Sequence, residues 1–195
     1  MARRHAIKGL FLGALVFATQ AWAQWELNDA GSTVNFVSVK NSTIAELHSF
    51  PSLLGYIGEG GKVQVTVNLD SVETLIPIRN ERMREMLFDT ANFPTATVSA
   101  EVDPEILAEA SRGGTVSTEI PVTLSLHGME QVITVPLLVF GDGGNLRVVS
   151  ARPVLLRAGD FGLEAGIEAL RNVAGLKVIA TAVPVTLNLQ FQRVK

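Results

Sequence analysis

The sequence predicts an all-β domain of eight antiparallel strands with one or two short helices. Three observations carry this. The dominant period after Gln24 is two residues, glycine-rich links join the periodic segments, and only two stretches show a helical period.

The strands follow in chain order. Residues 32–39 and 44–57 alternate weakly. Val63, Val65, Val67 and Leu69 then alternate with Gln64, Thr66, Asn68 and Asp70. Residues 95–103 form a fourth strand. In the fifth, Ile120, Val122, Leu124 and Leu126 alternate with polar neighbours. Residues 131–140 and 145–156 are the sixth and seventh. Val183, Val185, Leu187, Leu189 and Phe191 mark the eighth. Each run has one apolar and one wet face, as a half-buried strand must. Short links such as Gly58-Glu59-Gly60-Gly61, His127-Gly128 and Gly141-Asp142-Gly143-Gly144 favour antiparallel neighbours, so the order is mostly a meander.

Two stretches break the period. In residues 79–87, Met83, Met86 and Leu87 stand at i, i+3 and i+4, with the charges of Arg79, Glu81, Arg82, Arg84 and Glu85 largely outside that face. In residues 163–171, Leu163, Ile167 and Leu170 repeat the pattern. Helices this short rely on packing rather than propensity.

Eight such strands hide their apolar faces by closing into a barrel or stacking as a sandwich. Pro121, Pro136, Pro153 and Pro184 fall inside the expected strands and cannot donate to a ladder, so a distorted barrel with gaps is expected. The inward positions are mainly Val, Leu and Ile. Such walls suit a flexible hydrocarbon, but a solid core uses the same residues, and composition leaves both open.

The amino-terminal end has the form of a targeting signal. Arg3, Arg4 and Lys8 precede an apolar run from Gly9 to Ala18, followed by Ala21-Trp22-Ala23. That run is shorter than the ~20 residues of a membrane helix. The expectation is a signal peptide over residues 1–23, cleaved after Ala23, and one domain over 24–195, exported to the periplasm and not integral to the membrane. Cleavage removes three basic and no acidic residues, taking the formal net charge from −3 to −6. A chain so acidic is a poor partner for nucleic acid. Cysteine is absent, which excludes disulfides, thiol catalysis and Cys-ligated metals.

Catalytic motifs are missing. His48 and His127 lie in no metal-ligand spacing, and no G-x-S-x-G elbow occurs. No enzyme activity, metal or cofactor is expected. Arg79, just before the helical stretch, is the candidate for gripping a polar or anionic head group, since its planar fork of donors suits carboxylate and phosphate. The alternative for these charges is a solvated helix face.

Four segments in order resemble the YceI-like proteins. They are Leu69-Asp70-Ser71-Val72-Glu73-Thr74, the stretch from Arg79 to Phe93-Pro94, Val122-Thr123-Leu124-Ser125-Leu126-His127-Gly128, and Arg157 to Asp160-Phe161-Gly162. The likeness runs from Trp25 to Phe191. It implies an antiparallel, lipocalin-like barrel around a hydrophobic tunnel that takes a polyisoprenoid, such as a quinone tail or polyprenyl chain, without catalysis. It also carries Phe88, Phe93, Leu124, Leu126 and Phe161 over as apolar positions of the family motif. With Phe36 and Leu54 from the strands, Met83, Met86 and Leu87 from the helical stretch, and Arg79 at the mouth, these form the candidate ligand site. A structural interaction barrel filled by its own side chains is the alternative function, and a lipid hydrolase a weaker one. A homodimer stays open.

Overall fold

The structure, a computed structural model, describes residues 23–194. The expected signal peptide and its cleavage site fall on residues 1–23, outside this range apart from the backbone of Ala23.

Among the described residues, eleven strands build one closed antiparallel barrel with eight staves. β1 (Ala23–Leu27) and β2 (Thr33–Lys40) form the first stave, interrupted by a single turn over Asp29–Gly31. β3 (Ile44–Phe50) and β4 (Leu53–Gly58) form the second. β5 (Lys62–Asn68), β6 (Thr95–Glu101), β7 (Thr115–Leu126) and β8 (Met129–Gly141) follow as a meander. β9 (Asn145–Ser150) and β10 (Val154–Arg157) share the seventh stave, and β11 (Ala182–Arg193) is the eighth. Closure comes from β11, which pairs with β9 and β10 along one edge and with β1 and β2 along the other. The eight expected strands are these eight staves.

The two broken staves lie side by side. Asp29, in the turn between β1 and β2, accepts a hydrogen bond from the Leu53 amide at 2.6 Å, just past the Pro51-Ser52 break between β3 and β4. Both strands therefore bend at one corner. Prolines stand where ladders stop. The β6–β7 ladder ends at Ala100↔Val122, next to Pro121. The β8–β9 ladder ends at Leu137↔Ser150, next to Pro136. The β2–β11 ladder ends at Phe36↔Val185, next to Pro184. Pro153 lies in the gap between β9 and β10. A missing N–H removes the next rung, so the expected gaps follow from the prolines.

Helices close both ends. The first expected helix begins as α1 (Pro77–Arg82) and widens into a π-helical turn over Met83–Phe88, which stops at Asp89 in the left-handed region. The second is α3 (Glu164–Val173), and it lies against that turn. A β-carbon on Gly166 would stand 2.5 Å from the Met86 carbonyl oxygen and 2.8 Å from Leu87 Cα, so only glycine permits the approach. The opposite end is covered by α2 (Pro104–Ser111), which the periodicity did not predict. Its start is nevertheless written locally. Asp103 caps the Glu105 amide at 2.9 Å, with Pro104 in the first turn. Ala110 of α2 sits so close to Gly141 that no side chain fits between them. His127 and Gly128, both at positive φ, form the two-residue link between β7 and β8.

Candidate functional site

The staves turn their alternate residues inward around a cavity of about 290 Å3. That is near the lower end of the range of small-molecule pockets, ~300–1,000 Å3. Its sides are the valine-rich faces of β5, β6, β7, β8 and β11, including Val65, Val98, Val122, Val135 and Leu187. Ile106 and Leu107 of α2 close one end. Leu87 and Phe88 of the π-turn and Ile167 of α3 close the other. Phe36, Phe50 and Phe88 form an aromatic wall at this second end, with centroid separations of 5.3 Å between Phe36 and Phe50 and 5.6 Å between Phe50 and Phe88. Phe161 lines the same end.

The cavity brings together six of the expected residues: Phe36, Leu87, Phe88, Leu124, Leu126 and Phe161. The other five lie elsewhere, each for a physical reason. Leu54 is 73 % exposed. His48 and Phe50 face inward on β3, whereas Leu53 and Ile57 do so on β4, so the break at Pro51 shifts the phase by one residue and turns Leu54 outward. Met83 is buried in the core without lining the cavity, and Met86 is half-buried beside Gly166. The i, i+3, i+4 face assumed an α-helix. A π-turn, with its i→i+5 backbone bonds, advances less per residue than an α-helix, so that face is displaced, and the residues it buries are Met83 and Phe88. Phe93 does not line the cavity, and its ring packs tilted against that of His127 with centroids 4.5 Å apart.

Arg79 is engaged elsewhere. Its Nη1 donates to Glu46 Oε2 at 2.7 Å and its Nη2 to the Thr74 carbonyl at 2.6 Å, while Lys40 reaches the same Glu46 oxygen at 2.9 Å. Burial raises the Glu46 pKa, but hydrogen bonds from Lys40 and Arg79 outweigh this and hold it below the usual carboxylate value. His48 is buried nearby, with its Nε2 2.8 Å from Ser38 Oγ and its ring 5.1 Å from Phe36. Burial, then the positive charge of Arg79, pushes its imidazole pKa down. This polar cluster braces the β2–β3 hairpin against α1. It does not face the cavity.

Sequence reasoning missed Phe50, whose place in the aromatic wall was visible only as an inward position of the weakly alternating second strand. It also missed Arg157 as a lining residue. Among the described residues, no three His, Cys, Asp or Glu side chains come close enough together to hold a metal ion, and no helix is long and apolar enough to cross a membrane.

Fold and cavity together define a closed, hollow antiparallel barrel, capped by helices and lined by hydrocarbon. A YceI-like domain matches residues 25–191, and the chain belongs to that family. It is similar to the solved structure of a polyisoprenoid binding domain from Saccharophagus degradans implicated in plant cell wall breakdown. The two share 39 % identity with a TM-score of 0.86, over 89 % of this chain and 100 % of that one. BcnA of Burkholderia cenocepacia shares the fold at 18 % identity and a TM-score of 0.67, over 84 % of this chain and 98 % of that one. The Campylobacter jejuni YceI protein does so at 12 % identity and a TM-score of 0.54, over 76 % and 85 % of the two chains. No curated protein sequence matches the chain.

Proposed function

We propose that this protein is a non-enzymatic carrier or scavenger of an isoprenoid lipid, such as a quinone tail or polyprenyl chain, held in the barrel. The observation that carries the reading is the apolar cavity itself. Side chains facing 290 Å3 without an occupant forfeit the contacts that a packed core would give them, and voids left in cores by truncation cost ~24 cal/mol per Å3. Domains of this kind are stable by only ~5–15 kcal/mol. A hydrocarbon occupant offsets that cost, whereas a barrel filled by its own side chains would have no such volume to fill. The relative from Saccharophagus degradans, described as binding polyisoprenoids, supports the same class of ligand. Export to the periplasm with cleavage after Ala23 fits the amino-terminal composition and completes the proposal.

The test is thermal unfolding of delipidated protein with and without added prenyl lipids. A ligand at a hundredfold excess over its Kd stabilises the folded state by ~2.7 kcal/mol. For a chain of this size that raises Tm by about 5–11 °C. An unchanged Tm across prenyl alcohols, prenyl phosphates and quinones would overturn the proposal.

A further inference from the structure

Among the described residues, one that lines the cavity carries a charge: Arg157, the last residue of β10, while every other is Val, Leu, Ile, Ala or Phe. The lining is apolar throughout, so Arg157 meets the cavity with nonpolar atoms and carries its guanidinium outside, on the outer face of β10 that also bears Leu155. Its guanidinium has none of the satisfaction that Arg79 finds. Among the described residues it joins no ion pair, and it is solvent-exposed.

Its position is set by a seam in the barrel wall. β10 pairs with β11 alone, through Val154↔Val185 to Arg157↔Ala182. On the other side of the seam, β8 pairs with β9 only from Leu137 onward, so its first half is held by β7 alone. Between that half of β8 and β10 no ladder forms. The edges are tied only near their ends, by the Ala151 amide to the Pro136 carbonyl at 2.9 Å and by Gln131 Nε2 to the Asp160 carbonyl at 3.1 Å. Ile133 and Val135 line the cavity from one edge, Val154 and Leu156 from the other. Outside, Val132 is 72 % exposed and Leu155 69 % exposed. A chain entering there would have to part side chains but no backbone ladder, and its polar end would lie on the side of the wall where Arg157 is exposed.

We infer that the β8–β10 seam is the mouth of the cavity and that Arg157 binds the head group of the ligand, which is therefore an isoprenoid carrying an anionic phosphate or carboxylate. This rests on the proposed function and narrows it, from prenyl lipids in general to acidic ones. An arginine fork donates two parallel hydrogen bonds to such an anion and none of comparable strength to a neutral alcohol or quinone. The head-group role expected of Arg79 passes to Arg157.

The test compares two lipids of one chain length, geranylgeranyl phosphate and geranylgeraniol, on delipidated protein with Arg157 intact, Arg157→Gln and Arg157→Lys. Each variant is checked for folding by circular dichroism. The expected result is that the wild type prefers the phosphate by about fivefold or more, after allowance for solvent exposure of the site. Arg157→Gln lowers phosphate binding until the preference is gone, with any loss of alcohol binding smaller than the loss of phosphate binding, Arg157→Lys keeps part of the preference, and 1 M salt weakens it. Inorganic phosphate alone gives no thermal stabilisation, because the chain supplies most of the affinity. Equal preference in Arg157→Gln and wild type, or no preference in wild type, overturns the assignment of Arg157 while the lipid-carrier reading stands. Failure of the wild type to bind either lipid overturns both.

Discussion

Replacing Gly166 by alanine sets two well-defined effects against each other. In an exposed helix interior the exchange is stabilising, because alanine is favoured over glycine by ~1 kcal/mol. Here the new β-carbon would stand 2.5 Å from the Met86 carbonyl oxygen and 2.8 Å from Leu87 Cα. Both obstacles are backbone, in a π-turn that cannot move aside as a side-chain tip can. Relief requires α3 to shift away from the turn, and overpacking of this kind costs ~1–3 kcal/mol. At the middle of that range the packing term exceeds the propensity term by ~1 kcal/mol, and a net loss of about that size is expected. With ~2–4 °C of Tm per kcal/mol in a domain of this size, Tm falls by about 2–4 °C. The loss should reach the cavity too, because Leu87, Phe88 and Ile167 close one end of it across this contact. The assay is thermal unfolding of Gly166→Ala beside wild type, delipidated and lipid-loaded. A Tm equal to or above wild type in the delipidated state would refute the reasoning and show that α3 does not press on the turn.

Three further outcomes follow from the same geometry. Leu124→Arg places an unpaired charge in the cavity wall, at a cost of several kcal/mol, and should unfold the protein or lower Tm by more than ~6 °C, while Leu54→Arg stays within ~0.5 kcal/mol of wild type by denaturant titration. Arg79→Ala removes the ties to Glu46 and Thr74 and should lower stability by ~1–2 kcal/mol, yet leave the lipid retained per folded protein unchanged in quantitative extraction. His48 is held neutral when folded and takes a proton more readily when unfolded, so its contribution is complete above ~6.5 and is lost as pH falls from there through the depressed folded value. Tm measured from pH 7.5 to 5.5 should fall for wild type and fall less for His48→Gln, and equal slopes would contradict this.

Much of the fold was legible because each stave has one wet face. Gln64, Thr66 and Asn68 set the phase of β5 as firmly as Val63, Val65 and Val67 do, and a period of two admits few alternatives. What escaped was written on a shorter or a longer scale. β1 offers only Trp25-Glu26-Leu27 as alternation, and its partners on β4 and β11 lie far away in the chain. The Asp103-Pro104-Glu105 start of α2 was a readable signal, but the helix behind it is only 8 residues long and shows a weak apolar face. Leu54 failed through phase, since one break at Pro51 inverts every later position of that stave. Met83 and Met86 failed through pitch, because residue spacing does not distinguish an α-turn from a π-turn. Arg79 failed through distance. Its partner Glu46 is 33 residues away on a hairpin that folds over α1, and nothing local announces the pairing. Arg157 was within a recognised segment, yet only the closed barrel shows that this arginine meets an otherwise wholly apolar lining.

Occupation of the cavity by an isoprenoid is tested with the fewest assumptions by direct chemical analysis of the protein as purified. Protein isolated under native conditions from an exported fraction is extracted with organic solvent, and the extract is analysed by mass spectrometry against a parallel extract of Leu124→Arg. The wild type is expected to yield an isoprenoid lipid in near-equimolar amount and the variant none. A wild-type extract without isoprenoid, from protein whose Tm is unaffected by extraction, would contradict this.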